Sequence, residues 1–180
     1  AADVVEVVSF VRRPTGRVHP KLREVVCADF ADLSPHAEAL AGATACFYCL
    51  GVSSAGMSEP EYRRICHDFP LAAARVLAEV APGAAFVLVT GVGADAKSRT
   101  MWARVRGEAE NTLLAMPGLR GYPFRPGYIQ PMRGVTSRTG LYRGLYAVGA
   151  WTYPALRRLF PGTVTTSVTL GRAMLALARD

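Results

Sequence analysis

The stretch Ala84–Gly93, AAFVLVTGVG, decides how this chain folds. Six apolar residues, Ala84 to Val89, run without a polar break and end in Thr-Gly-Val-Gly. An alternating strand would have one wet face; a continuous apolar run implies burial on both. A glycine-rich loop directly after it brings bare backbone to the strand's carboxyl end.

The same grammar extends outward in both directions. VVEVVSFV, Val4–Val11, reads as a buried strand closed by Arg12, Arg13, Pro14 and Gly16. REVVCAD, Arg23–Asp29, reads as a second, shorter strand. Ser34-Pro35 opens a short helix with Ser34 as N-cap, and Gly42 stops it. Ala45–Leu50 is a further strand, closed by Gly51. Ser58 and Glu61 form an S-x-x-E capping box. The helix they open extends to about Ala81, with a kink expected at Pro70. Thr100–Met116 reads as a helix ended by Pro117-Gly118, and Leu119–Phe124 as another strand before Arg-Pro-Gly-Tyr. TVTTSV is a short extended piece, and Thr169–Arg179 a terminal amphipathic helix.

Apolar strands alternating with helices predict an α/β, doubly wound parallel sheet with helices on both faces and a small C-terminal helical lobe. A chain of 180 residues fits a single domain, with residues 1–130 as the sheet core and 131–180 as a substrate or lid lobe. In such sheets ligands bind beyond the carboxyl ends of the strands. The residues just past those ends are Arg12 and Arg13, Asp29, Gly51, Thr90 to Gly93, and Arg125 to Tyr128.

Composition narrows the function. The chain is 51% hydrophobic and 19% charged, which indicates a globular protein. No apolar run approaches the roughly 20 residues that span a bilayer. AADVVEVVSF has neither a basic start nor a cleavage site, so it does not read as a signal peptide, and without an initiator Met it reads as a fragment or processed form. The formal net charge of +7 is spread along the chain, with no nucleic-acid-binding motif, so no nucleic acid is expected. Cys27, Cys46, Cys49 and Cys66 lie in or beside apolar segments and read as reduced core residues of a cytoplasmic protein. Cys46 and Cys49 have redox-pair spacing, but three residues apart on a strand they point to opposite faces. No metal site is expected.

The order VRR, CADFADL, CFYCLGVSS, VLVTGVGAD, WARVRGEAE and FRPGYI resembles the atypical short-chain dehydrogenase superfamily over about Val4–Gln130. It looks most similar to the NAD(P)H-binding branch around the Tat-interacting protein and the NmrA-like regulators. The resemblance implies NADP (or NAD) as cofactor. It implies Arg12 and Arg13 on the 2′-phosphate, where a guanidinium pairs well with phosphate. It implies Asp29 beside the adenine amino group, Gly51 under a cofactor ribose, and Pro126, Gly127 and Tyr128 beside the nicotinamide. Each has a plainer reading as well: solvated turn, turn cap, tight turn and Pro-Gly turn.

The family pairs a proton-transferring Tyr with a Lys four residues later, after a Ser or Thr that orients the substrate. Aligned on Gly93–Asp95, those positions fall on Trp102, Arg106, and Thr90 or Gly91. Indole does not titrate usefully and guanidinium does not relay protons. Trp102 reads as packing, and Arg106 as either an i,i+4 partner of Glu110 or a contact to cofactor ribose. Tyr128, Tyr142, Tyr146, His67 and Asp68 are the other candidate acids.

Two functions follow from the resemblance. One is a non-catalytic NADP(H)-binding or redox-sensing module with a degenerate pair. The other is an NAD(P)-dependent oxidoreductase acting on a small carbonyl or alcohol with a non-standard acid. The aromatic stretch 140–160 reads as a lid over a small apolar substrate, a helix packing in a homodimer or against a protein partner, or a membrane-surface helix; the lid is favoured. No G-x-x-G-x-x-G turn stands near the start, so the chain reads as beginning at the second strand of the family fold.

Overall fold

The computed structural model describes residues 2–130, 132 and 164–179. The elements are β1 (Val7–Val11), β2 (Leu22–Val26), a 3-10 turn (Ser34–His36), α1 (Ala37–Leu40), β3 (Ala45–Tyr48) and α2 (Glu59–Arg63). A π-helical turn (Arg64–Asp68) joins α2 to α3 (Phe69–Val80). Then come β4 (Ala85–Val89), α4 (Met101–Leu114), β5 (Arg120–Phe124), β6 (Tyr128–Gln130), β7 (Val164–Thr166) and α5 (Ser167–Leu177).

Every strand pair is parallel, as the apolar runs require. β1 pairs with β2, β3–β4–β5 form a three-stranded unit, and β6 pairs with β7. β4 is the centre of its unit, and Ala85, Phe86, Val87 and Leu88 are all buried. Phe86 and Leu88 face a core built with Tyr48 of β3, Leu71, Ala74 and Leu77 of α3, and Ala109 and Leu113 of α4. Phe10 of β1 packs against the same core, which ties the first strand pair to the rest. Burying that much apolar surface, at roughly 25 cal/mol per Å², is what holds the layers together.

Local signals explain where elements begin. Ser58 donates its N–H (3.0 Å) and hydroxyl (2.7 Å) to Glu61 Oε2, so the capping box forms as read. Pro70 lacks an N–H, and its ring crowds the carbonyl four residues back. The chain widens just before it: the Phe69 N–H reaches Arg64 O, five residues away. The expected kink is this π-turn.

Several element boundaries differ from expectation. β1 starts at Val7, three residues late, and Val5 is exposed. Ser34 is inside the 3-10 turn, whose cap is Leu33, and Asp32 Oδ1 accepts the Ser34 N–H at 2.8 Å. β1 and β2 are joined by residues 12–21 with no helix between them. α5 begins at Ser167, capped by Thr166, which accepts from the Thr169 N–H. The aromatic stretch 140–160, with Tyr142 and Tyr146, lies outside the described residues.

Candidate functional site

Parallel register fixes where the functional side chains go. Val11 of β1 sits opposite Val26 of β2, and the Cys27 N–H continues the ladder to Val11 O at 2.9 Å. Arg12, Arg13 and Asp29 therefore leave the sheet on one edge. Tyr48 sits opposite Leu88, and Val89 opposite Phe124. Beyond them Thr90 N–H donates to Phe124 O (2.8 Å) and Val92 N–H to Pro126 O (3.2 Å). Gly51, Thr90–Gly93 and Arg125–Gly127 thus share an edge as well.

The π-turn connects these two groups. Arg64 lies 3.8 Å from Asp29 Oδ1, after β2, and caps the Phe69 ring. Two residues on, Cys66 lies beneath Arg106 at the end of β4. The carboxyl ends of β2 and β4 consequently approach the same turn, so the predicted edge is a common one.

Arg12 and Arg13 are exposed and make no hydrogen bond or ion pair with any described residue. Asp29 accepts the Ala31 N–H at 2.9 Å, the local cap, and keeps a weak pairing with Arg64. Tyr128 donates its hydroxyl to Gln130 Oε1 at 2.8 Å.

Arg106 does not pair with Glu110. Its Nε donates to the Tyr62 hydroxyl at 2.7 Å, and its Nη1 to the carbonyls of Thr90 (2.9 Å) and Val89 (3.3 Å). The Tyr62 ring lies 5.9 Å from the guanidinium carbon. Burial pushes the Tyr62 phenol upward in pKa, against the opposing pull of Arg106, so it stays protonated. A Cβ on Gly51 would meet Arg106 Nη2 at 3.1 Å.

Glu110 turns inward instead and is 1% exposed. Arg125 covers it with Nε at 2.9 and 3.1 Å from its two oxygens, and Nη2 joins them. Thr90 gives its hydroxyl proton to the same carboxylate or to Phe124 O. That donor is spent inside the protein, so Thr90 has none left to orient a substrate carbonyl. Its oxygen keeps acceptor capacity only. Sequence reasoning missed Glu110 as a site support, though it stands in line with Ala103 and Gly107 on the buried stripe of α4.

Trp102 packs with Tyr62, Cys66 and Val105, its ring against Gly91 and Gly93. Gly93 has φ +93°, which favours glycine. All four cysteines are free, but Cys49 is exposed, contrary to the core expectation, because the strand ends at Tyr48. Among the described residues no acidic, His and Cys group forms a metal cluster, and no helix is long and apolar enough to cross a membrane. A hollow of about 520 Å³ lies at the opposite, amino edge of β3–β5, lined by Gly83, Arg120 and Arg179 among others. It contains none of the residues singled out above.

No protein-family model matches the chain, and no curated protein does. Solved structures do. The chain is similar to MoeE5 in complex with UDP-glucuronic acid and NAD, with a TM-score of 0.58 at 17% identity, covering 71% of this chain and 48% of that one. It is also similar to a short chain dehydrogenase from Burkholderia cenocepacia J2315 in complex with NADP, with a TM-score of 0.57 at 18% identity, covering 98% and 83%. The chain spans about half the length of MoeE5. The fold is a Rossmann-like α/β fold of the kind these two structures share.

Proposed function

We propose that this chain is a single NADP(H)-binding domain related to the atypical short-chain dehydrogenases, with a degenerate catalytic pair, acting as a cofactor-binding or redox-sensing module. The observation that carries the reading is the shared carboxyl edge of the parallel strands, with two guanidiniums at its β1 end, Arg12 and Arg13, that pair with none of the described residues. Such a pair fits a phosphate monoester in geometry and charge. Both solved relatives contain a nicotinamide dinucleotide, which favours the same ligand here.

In this reading Arg12 and Arg13 hold the 2′-phosphate and Asp29 accepts from the adenine amino group. Gly51 lets a ribose lie against bare backbone, and Pro126–Gly127 border the nicotinamide. Among the described residues no G-x-x-G-x-x-G turn follows a strand, so none of them is given a pyrophosphate contact. A bound nicotinamide supplies or accepts hydride; this chain's residues would have to move the proton. Trp102 is locked against Gly91 and Gly93, and Arg106 is tied to Tyr62 and two carbonyls. Neither is placed to do so. The missing acid removes about 10²–10⁴-fold in rate, which supports binding over turnover. Free cysteines suit the cytoplasm.

The test is fluorescence titration with NADPH and NADH, beside NADPH oxidation across a carbonyl panel. Saturable binding that favours NADPH is expected, with the preference erased in Arg12→Ala/Arg13→Ala and no turnover. Absence of saturable binding sinks the cofactor reading. Turnover that survives Trp102→Phe but fails with Tyr128→Phe sinks the sensor reading in favour of an oxidoreductase.

A further inference from the structure

Thr15 follows two arginines in the sequence Arg12-Arg13-Pro14-Thr15. Among the described residues no other Ser or Thr has arginines both two and three positions before it. The stretch belongs to the connection 12–21, which holds no helix or strand, and residues 12–20 are all exposed. Gly16, next along, has φ +71°, and nothing lies within 4 Å of where its Cβ would stand. The loop is therefore open to a second protein.

One carboxylate ties the loop to the sheet. Glu24 of β2 accepts the Thr15 hydroxyl and, at 3.0 Å, the Thr15 N–H. These two bonds, and then the charge of Arg17, hold the Glu24 carboxyl below the usual range. The Arg17 N–H donates to Thr15 Oγ1 at 3.3 Å. Thr15 thus bonds to one acid and has three arginines within three residues of it. Two of these, Arg12 and Arg13, pair with none of the described residues.

We infer that Thr15 is a phosphorylation site for a protein kinase that reads arginines two and three residues before its target, and that the phosphate installed there takes Arg12 and Arg13 away from NADP(H). This rests on the cofactor reading, in which those arginines hold the 2′-phosphate. A kinase of this kind recognises the guanidiniums with carboxylates of its own. In the transfer the bond from Thr15 Oγ1 to the γ-phosphorus of Mg·ATP forms and the bond from that phosphorus to ADP breaks. The hydroxyl proton passes to the kinase's catalytic Asp. The product is a phosphate monoester, the same chemical group as the cofactor's 2′-phosphate, tethered two residues from Arg13. It is strongly anionic and keeps no donor on Oγ1, so Glu24 repels it and the guanidiniums attract it. Tethering gives it a high effective concentration at those arginines, which a free cofactor must overcome.

The test treats the whole chain with the catalytic subunit of cyclic-AMP-dependent protein kinase and Mg·ATP, and locates phosphate by mass spectrometry. Phosphate on Thr15 is expected, and none on the Thr15→Ala chain. Phosphorus NMR should place the second pKa of the phosphothreonine below its ordinary value of about 6, because guanidiniums favour the dianion. In fluorescence titrations phosphorylation should weaken NADPH on the order of tenfold and leave NADH unchanged. Thr15→Ala taken through the same treatment should bind NADPH as the untreated protein does. No transfer to Thr15, or a phosphothreonine with an ordinary pKa, overturns the inference. Equal NADPH binding by the two forms also overturns it and leaves the cofactor reading standing. A lowered phosphothreonine pKa in a chain that binds NADPH in neither form supports the modification and fails the cofactor reading.

Discussion

Glu110 and Arg125 form the one described ion pair whose carboxylate is buried: Glu110 is 1% exposed, while the Arg125 side chain is 52% exposed. The pair clamps α4 to the end of β5, and Thr90 joins it from β4. The ion contact raises the Arg125 pKa, through the hydrogen bond to Glu110 first. Removing one partner of a buried pair strands the other charge. Arg125→Ala should therefore cost about 2 kcal/mol, less than a fully enclosed pair because half of the guanidinium is solvated. Urea unfolding of Arg125→Ala, Glu110→Gln and the double mutant checks it. The double mutant should lose less than the two single losses summed; strict additivity would show that the two groups do not interact.

Gly107 is the point where α4 touches the glycine-rich loop. A Cβ there would lie 2.2 Å from Ala96 N and 2.4 Å from the Asp95 carbonyl carbon, both backbone atoms. The loop is also fixed to the helix by the Asp95 N–H donating to Ala103 O at 3.0 Å. Neither side yields without breaking that contact. Gly107→Ala should destabilise by about 3 kcal/mol, despite alanine's better helix propensity. A thermal melt unchanged or raised by the substitution would refute the close approach.

The parallel sheet was legible because β4 needs two dry faces, and only an uninterrupted apolar run supplies them. The capping box was legible because both of its partners lie within one turn. The pairing of Arg106 was not. Spacing of four residues puts Arg106 and Glu110 near each other on a helix, but tertiary contacts decide which way each turns. Glu110 lines up with Ala103 and Gly107, the side that packs inward, and its partner lies 15 residues away, just past the end of β5. Arg106 is held by Tyr62, 44 residues earlier on α2, next to a π-turn whose widening before Pro70 no propensity scale encodes. Strand-end positions such as Arg12 and Gly51 could be picked out only because a parallel fold, once read, says which ends of the strands matter.

Tyr48 presents the reverse case from Glu110. Its ring stacks on Phe86 with centroids 6.0 Å apart, but its hydroxyl is buried with no hydrogen-bond partner among the described residues. A buried polar group without a partner costs more than it returns. Tyr48→Phe keeps the stacked ring and deletes the orphan, so it should raise stability by about 1 kcal/mol. Denaturant midpoints at neutral pH settle the sign. A loss of similar size would mean that the hydroxyl is bonded to ordered water.

Cys46 predicts how the protein responds to alkali. It packs against the core beside Tyr48, and burial pushes its thiol up to about 12, with a smaller push from Cys49. An unfolded thiol titrates near pH 8.5. Between pH 9 and 12 the unfolded chain loses this proton while the folded chain keeps it. The folded state binds more protons there, so stability is full below the unfolded pKa and falls as pH rises. Burial raises Tyr48 as well, which adds to the same trend. Cys46→Ala removes one ionisation from this slope. The stability gap between wild type and Cys46→Ala should therefore shrink by about 2 kcal/mol from pH 8 to pH 10, read from urea midpoints under reducing conditions. Parallel curves over that range would mean that Cys46 ionises as freely in the folded protein as in the unfolded chain.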